Sequence, residues 1–158
     1  RTSSSGHQGR VDAWTRKQLE QVHVGYPSKF GEEFAAEPLP TLAQSLALAR
    51  GRIQVCVEIK AAGIEEAIVQ DIREQGMAEE VVVFSFHPEI LTRVHAVAPE
   101  LPLLFLKEDA GMEDLARCAE LHAGAIGVGG ATELNDAFVK AAADANIEIW
   151  RWTVDDPA

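Results

Sequence analysis

The chain has 158 residues, room for one ordinary domain and too few for two. Apolar residues make up 47% and charged residues 25%, which excludes a disordered tail; the longest apolar runs, such as Val81 to Phe84, fall far short of the roughly 18 residues of a membrane helix. Fourteen Lys and Arg against 25 Asp and Glu leave a net charge of −11, the opposite of a nucleic-acid or anionic-membrane footprint.

No charged-then-apolar leader opens the sequence. Residues 1–40 have no clean period. Arg1 to Arg10 is rich in Ser and Gly and reads as an exposed loop. Thr15 caps a short helix reaching Gln21, and Gly25 to Pro40 reads as an irregular connection, longer than compact domains keep without a functional reason. The pattern then sharpens. Thr41 and Gln44 form a capping box for a helix that Gly51 ends. Ile53 to Ile59 reads as a buried strand. Ile64, Ile68 and Ile72 mark a helix stopped by Gly76. Val81 to Phe86 is the second strand, and Pro88 opens a helix with Ile90, Leu91, Val94 and Val97 on its buried stripe. Leu103 to Leu106, Met112 to Leu121 and Ala125 to Val128 read as strand, helix and strand. Thr132 is the expected cap of the last helix and Asn146 its left-handed stop, before a fifth strand over Ile147 to Val154. Five apolar strands alternating with helices predict a parallel α/β sheet, either open and doubly wound or part of an eight-stranded barrel.

Several residues are candidates for chemistry. Glu58 and Lys60 lie two apart, so both point to the same side as Cys56, at the strand end where α/β proteins place catalytic groups. A solvated ion pair is the plainer alternative, yet a carboxylate so far into a Val- and Ile-rich strand needs a partner or a metal. Trp150 and Trp152 share one face. Trp150 reads as core, and Trp152, nearer the carboxyl end, as a wall of a binding site. His87 reads as a helix-start residue, and His7, His23, His95 and His122 as surface residues, none beside another candidate. Lys107-Glu108-Asp109 reads as solvated loop. Gly127-Val128-Gly129-Gly130 reads as a tight turn rather than an anion cradle, and no Gly-rich phosphate loop follows the first strand. Cys56 and Cys118 match neither a disulfide framework nor a metal spacing.

These landmarks, in this order, resemble the glycerophosphodiester phosphodiesterase family. Arg1-Thr2-Ser3 with Gly6, Gly9 and Val11 is similar to its R-T-T-x-G-x-G-x-V segment, and Thr15 with Leu19 to its T-L-x-E-L stretch. Phe34 through Glu37, then Leu39-Pro40-Thr41-Leu42, resembles G-E-x-I-P-T-L. Val57-Glu58-Ile59-Lys60 resembles the I-E-I-K strand, Val83-Phe84-Ser85-Phe86 the V-x-S-F strand, and Trp152-Thr153-Val154-Asp155 the W-T-V-N strand. Asp155 stands where the family has Asn and cannot donate a hydrogen bond as that amide does.

The resemblance implies a partial TIM barrel and the hydrolysis of glycerophosphodiesters, in lipid metabolism, to an alcohol and glycerol phosphate with calcium or magnesium. It implies one domain over 1–158, with 1–40 an irregular βα-loop insertion and 41–158 the β/α repeats. It makes Glu58 a metal ligand, Lys60 the catalytic and phosphate-facing cation, and Trp152 part of the substrate pocket. The family's H-R-G, E-x-D and H-D strands, with both catalytic histidines and two metal-binding carboxylates, have no counterpart in this chain. What it implies is therefore the last five barrel strands, as an inactive fragment. The alternative is a non-catalytic barrel fragment, either a homo-oligomer covering the open sheet edge or a module for anionic ligands.

Overall fold

The structure is a computed structural model in which residues 10–155 are described. The Ser- and Gly-rich opening, with His7, lies outside them. Chain contacts divide the molecule into two compact units, Arg1–Gln44 and Ser45–Ala158.

The first unit is made of short pieces. Val11–Ala13 and Glu32–Phe34 are single 3-10 turns, and helices α1 (Arg16–Leu19) and α2 (Pro27–Phe30) bury no residue. Thr15 caps α1 as expected and, with Gln18, closes a capping box, the Thr15 amide donating to Gln18 Oε1 at 2.8 Å. An antiparallel bridge between His23 and Pro38 pinches the segment, helped by Val24 N–H on Glu37 O at 2.8 Å.

Helix α3 (Leu42–Ala49) starts at the Thr41–Gln44 box, where the Thr41 amide donates to Gln44 Oε1 at 2.8 Å. The second unit then alternates strand and helix: β1 (Val55–Glu58), α4 (Glu65–Glu74), β2 (Val81–Ser85), α5 (Pro88–Val97), β3 (Leu103–Lys107), α6 (Met112–Glu120), β4 (Ala125–Val128), α7 (Asp136–Asp144) and β5 (Glu148–Arg151). Gly51, Gly76 and Asn146 take left-handed φ of 69°, 65° and 55° after α3, α4 and α7, as their positions predict. Expected strand ends shrink because pairing stops. Exposed Ile53 precedes the first β1–β2 partners, and β5 runs out of neighbour at Val128↔Arg151. The cap of α7 is also different from expectation. Asn135, not Thr132, accepts the Phe138 amide, at 3.0 Å, because the chain after β4 continues as loop for several residues.

All strands are parallel and lie in sequential order, β1-β2-β3-β4-β5. A doubly wound sheet reverses its order midway to put helices on both faces, whereas sequential right-handed crossovers keep every helix on one face. Burial follows that division. Val57, Val81, Val83, Leu103, Phe105, Ile126 and Val128 are buried on the helix side, against helices that bury Val69 and Ile72, Ile90 and Val94, and Leu115, Cys118 and Phe138. On the opposite, inner face only a small cluster of Leu104, Leu106 and Ala125 is buried, with Val82, Phe84 and Trp152 packed on it. The chain folds as five consecutive β/α repeats of a TIM barrel.

Candidate active site

The inner face carries a cavity of about 430 Å³ at the carboxyl ends of the strands. Strand β1 brings Cys56 and Glu58 to it, and Lys60 follows two residues after the strand. Two-residue alternation is the reason: Cys56, Glu58 and Lys60 face in, while Val57 and Ile59 enter the helix-side core. Lys60 Nζ lies 3.2 Å from Glu58 Oε2, so the partner demanded by the half-buried carboxylate is the lysine beside it. The Glu58 side chain is 25% exposed and that of Lys60 77%, which leaves the ammonium free to meet a ligand.

Aromatic rings form much of the remaining wall. Phe84 and Phe86 come from β2 and its exit, Trp150 and Trp152 from β5 and its exit. Phe86 and Trp152 meet edge to face, ring centroids 5.6 Å apart. Gly127 forms the floor, where an added Cβ would stand 2.6 Å from a Leu106 methyl. The Trp152 indole Nε1 is buried with no hydrogen-bond partner. Trp150 departs from the expected core position: it is 38% exposed, lines the cavity, and donates its Nε1–H to Glu148 Oε2 at 2.9 Å. Its inner-face neighbours Gly127 and Glu148 provide too little apolar bulk to enclose it.

Arg151 is the residue that sequence reasoning missed. Its alternation points it to the helix side, yet its guanidinium reaches over the strand end to donate to Gly130 O at 3.1 Å and Thr132 O at 3.3 Å, and it lines the cavity. No periodic signal marks such a reach. Phe86 was legible, being two residues beyond Phe84 on the inner-face alternation. With Lys60 and Arg151 against Glu58, the cavity lining is cationic in a chain of net charge −11.

Other candidates resolve differently. His87 starts α5 as expected, sits 3.5 Å from Glu89, and does not line the cavity. His95 and His122 are not isolated: their rings stack at 3.9 Å, His122 standing just past the end of α6 with φ 54°. Lys107 is not simply solvated; it ends β3 and pairs with buried Asp114 at 3.1 Å. At Gly129 an added Cβ would lie 2.5 Å from the Glu108 backbone oxygen, so a close backbone approach requires glycine there.

Among the described residues no three His, Cys, Asp or Glu side chains gather to hold a metal. A hard divalent cation takes about six to eight oxygen ligands, and Glu58 is the one carboxylate among the described residues that line the cavity. That donor set does not by itself make a calcium or magnesium site. No helix among the described residues is long and apolar enough to cross a membrane.

Sequential parallel strands with an acid–base pair and aromatic rings around a cavity at their carboxyl ends are the features of a TIM-barrel protein. The glycerophosphoryl diester phosphodiesterase family model matches residues 2–158, and the chain belongs to that family. A glycerophosphodiester phosphodiesterase of Caldanaerobacter subterraneus subsp. tengcongensis is 33% identical over 102 residues, covering 61% of this chain and 41% of the relative. Among solved structures, a phosphodiesterase of Oleispira antarctica in complex with the product sn-glycerol-3-phosphate aligns with TM-score 0.81 and 19% identity over 97% of this chain and 64% of that one. A glycerophosphodiester phosphodiesterase of Agrobacterium tumefaciens aligns with TM-score 0.76 and 23% identity, over 97% of this chain and 64% of its own. The chain thus spans about two fifths of the curated relative and under two thirds of these structures.

Proposed function

We propose that this chain is the carboxyl-terminal part of a barrel that hydrolyses glycerophosphodiesters to an alcohol and glycerol phosphate. The observation that carries this reading is the Glu58–Lys60 pair, 3.2 Å apart at the mouth of an aromatic-walled cavity. In the reaction water supplies the oxygen that joins phosphorus, and the leaving alcohol takes a proton as its bond to phosphorus breaks. Negative charge on the phosphoryl oxygens calls for fixed cations, and Lys60 faces the cavity with most of its ammonium free. Glu58 would supply one oxygen ligand to a calcium or magnesium ion, which would neutralise charge on the phosphoryl oxygens once further donors beyond these five strands completed its shell. Trp152, with Phe86, packs against the carbon skeleton of the substrate.

Proton transfer is the part these strands do not provide. None of the four described histidines lines the cavity, and Glu58 is held by Lys60. The reading therefore makes the chain by itself inactive. Two measurements test it. Titration with sn-glycerol 3-phosphate, followed by tryptophan fluorescence, gives a saturable response that Lys60→Ala weakens about tenfold; superimposable curves sink the substrate assignment. Assay of the chain on glycerophosphocholine with calcium or magnesium yields no turnover, and appreciable turnover refutes the inactivity.

One observation favours a second reading. Trp150 and Phe86 remain 38% and 39% exposed on the inner face, and among the described residues β1 and β5 are each paired on one side only. A non-catalytic barrel fragment that associates with its own copies, or holds anionic ligands at Lys60 and Arg151, presents such a surface.

A further inference from the structure

The four buried polar side chains among the described residues share one task. Glu65, Ser85, Asp114 and Thr132 are each at most 7% exposed, and each binds the backbone of a loop that leaves a strand. Asp114 accepts the Gly111 amide at 2.9 Å, and the Thr132 hydroxyl accepts the Ala110 amide at 2.9 Å. The other two act on the loop that carries Lys60. The Ser85 hydroxyl donates to Ile59 O at 2.7 Å and accepts the His87 amide at 3.1 Å. Glu65 Oε2 accepts the Gly63 amide at 2.8 Å. Lys60 thus stands on a segment fixed at Ile59 by a hydroxyl and at Gly63 by a carboxylate.

Glu65 is a costly way to hold an amide. Its side chain is 2% exposed, Arg93 Nε approaches Oε2 only to 3.7 Å, and Oε1 is buried without a partner. A buried carboxylate so weakly paired is unfavourable, whereas an ordinary polar cap facing water satisfies the first turn of a helix cheaply. The cost falls on the loop that carries Lys60, the one lysine among the described residues that line the cavity. Lysine has a long stem with many rotamers, so its reach is restricted chiefly through its backbone.

We propose that Ser85 and Glu65 are positioning residues for Lys60: together they set the backbone from Ile59 to Gly63 so that the ammonium stands beside Glu58 over the cavity. This rests on reading Lys60 as the phosphate-facing group. Small errors in placing a charge against a phosphoryl group cost as much as about a hundredfold in rate, which gives rigidity here a functional value.

The test uses the whole chain labelled with ¹³C-lysine, the Lys60 signal assigned by its loss in Lys60→Arg, and inorganic phosphate as the probe. Ser85→Ala and Glu65→Ala weaken phosphate binding at Lys60 about five- to tenfold. Glu65→Gln keeps a carbonyl oxygen for the Gly63 amide and stays within about twofold. Asp114→Ala removes a comparable clamp, on the Gly111 amide of another loop, and also stays within about twofold. Thermal melts check the folded fraction, and either of Ser85→Ala and Glu65→Ala suffices if the other does not fold. Wild-type affinity in both Ser85→Ala and Glu65→Ala overturns the proposal, as does equal weakening by Asp114→Ala, which reduces the effect to general loosening. A wild-type chain with no phosphate response at Lys60 overturns the site reading itself and the proposal with it.

Discussion

At the scale of single residues, two cysteines show how environment separates identical groups. Burial foremost, and then the Asp114 carboxylate, push the Cys118 thiol up to about 11, whereas Cys56 is exposed on the cavity wall. A thiol reagent at pH 8 therefore titrates one cysteine in the native chain and two in denaturant; two fast native equivalents contradict the placement of Cys118. Gly129 is constrained by contact rather than by flexibility. Because its added Cβ meets the backbone oxygen of Glu108 at 2.5 Å, Gly129→Ala forces the β3 exit to move and costs about 1–3 kcal/mol. Urea unfolding measures that loss, and an unchanged midpoint means the backbone yields freely. Glu58 and Lys60 were legible as a same-side pair from their spacing alone. Arg151 was not, since its role arises from carbonyls about twenty positions away in sequence that the fold brings to its guanidinium.

Elements add effects that no residue has alone. The Asn135 side chain caps the Phe138 amide of α7, so Asn135→Ala lowers stability by about 1 kcal/mol. Thr132→Ala acts instead on the loop after β3, through the Ala110 amide. Comparing backbone protection of α7 in the two variants separates the roles, and loss of α7 protection in Thr132→Ala alone would restore the sequence-based assignment. Between α4 and the end of α5, Arg73 donates to Val97 O at 2.9 Å and to Glu100 Oε1 at 2.6 Å. A backbone hydrogen bond first, and Arg73 second, hold the Glu100 carboxyl below its ordinary value of 4.5. A carboxyl that ionises more readily when folded stabilises the fold above its unfolded value, and that contribution disappears as pH falls through the folded value. The difference in Tm between wild type and Glu100→Gln is thus present at neutral pH and vanishes in strong acid; it is small, since the group is solvent-exposed. A gap that widens in acid has the wrong sign for this account.

The molecule as a whole is governed by its two unequal sheet faces. Helices bury one face thoroughly, while the inner face encloses little more than Leu104, Leu106 and Ala125 and leaves Trp150 and Phe86 partly in water. Apolar rings in that position are expected to bind an apolar dye, and the second reading, in which copies cover one another, predicts elution above the 17.1 kDa monomer mass. A strictly monomeric chain that leaves the dye dark contradicts an accessible inner face.

Much of this architecture is written in one dimension. Hydrophobic period, caps and left-handed stops are local properties, so the strand–helix alternation, the Thr41–Gln44 box, Asn146 and the shared side of Glu58 and Lys60 could be read without coordinates. Proximity across the chain is not local. Sequential strand order, the exposure of Trp150, the stacking of His95 on His122, the pairing of Lys107 with Asp114 and the clamps on the Lys60 loop each depend on which distant segments arrive together. Only the packed fold decides that, because a side chain's solvent, partners and charge environment are set by its neighbours in space.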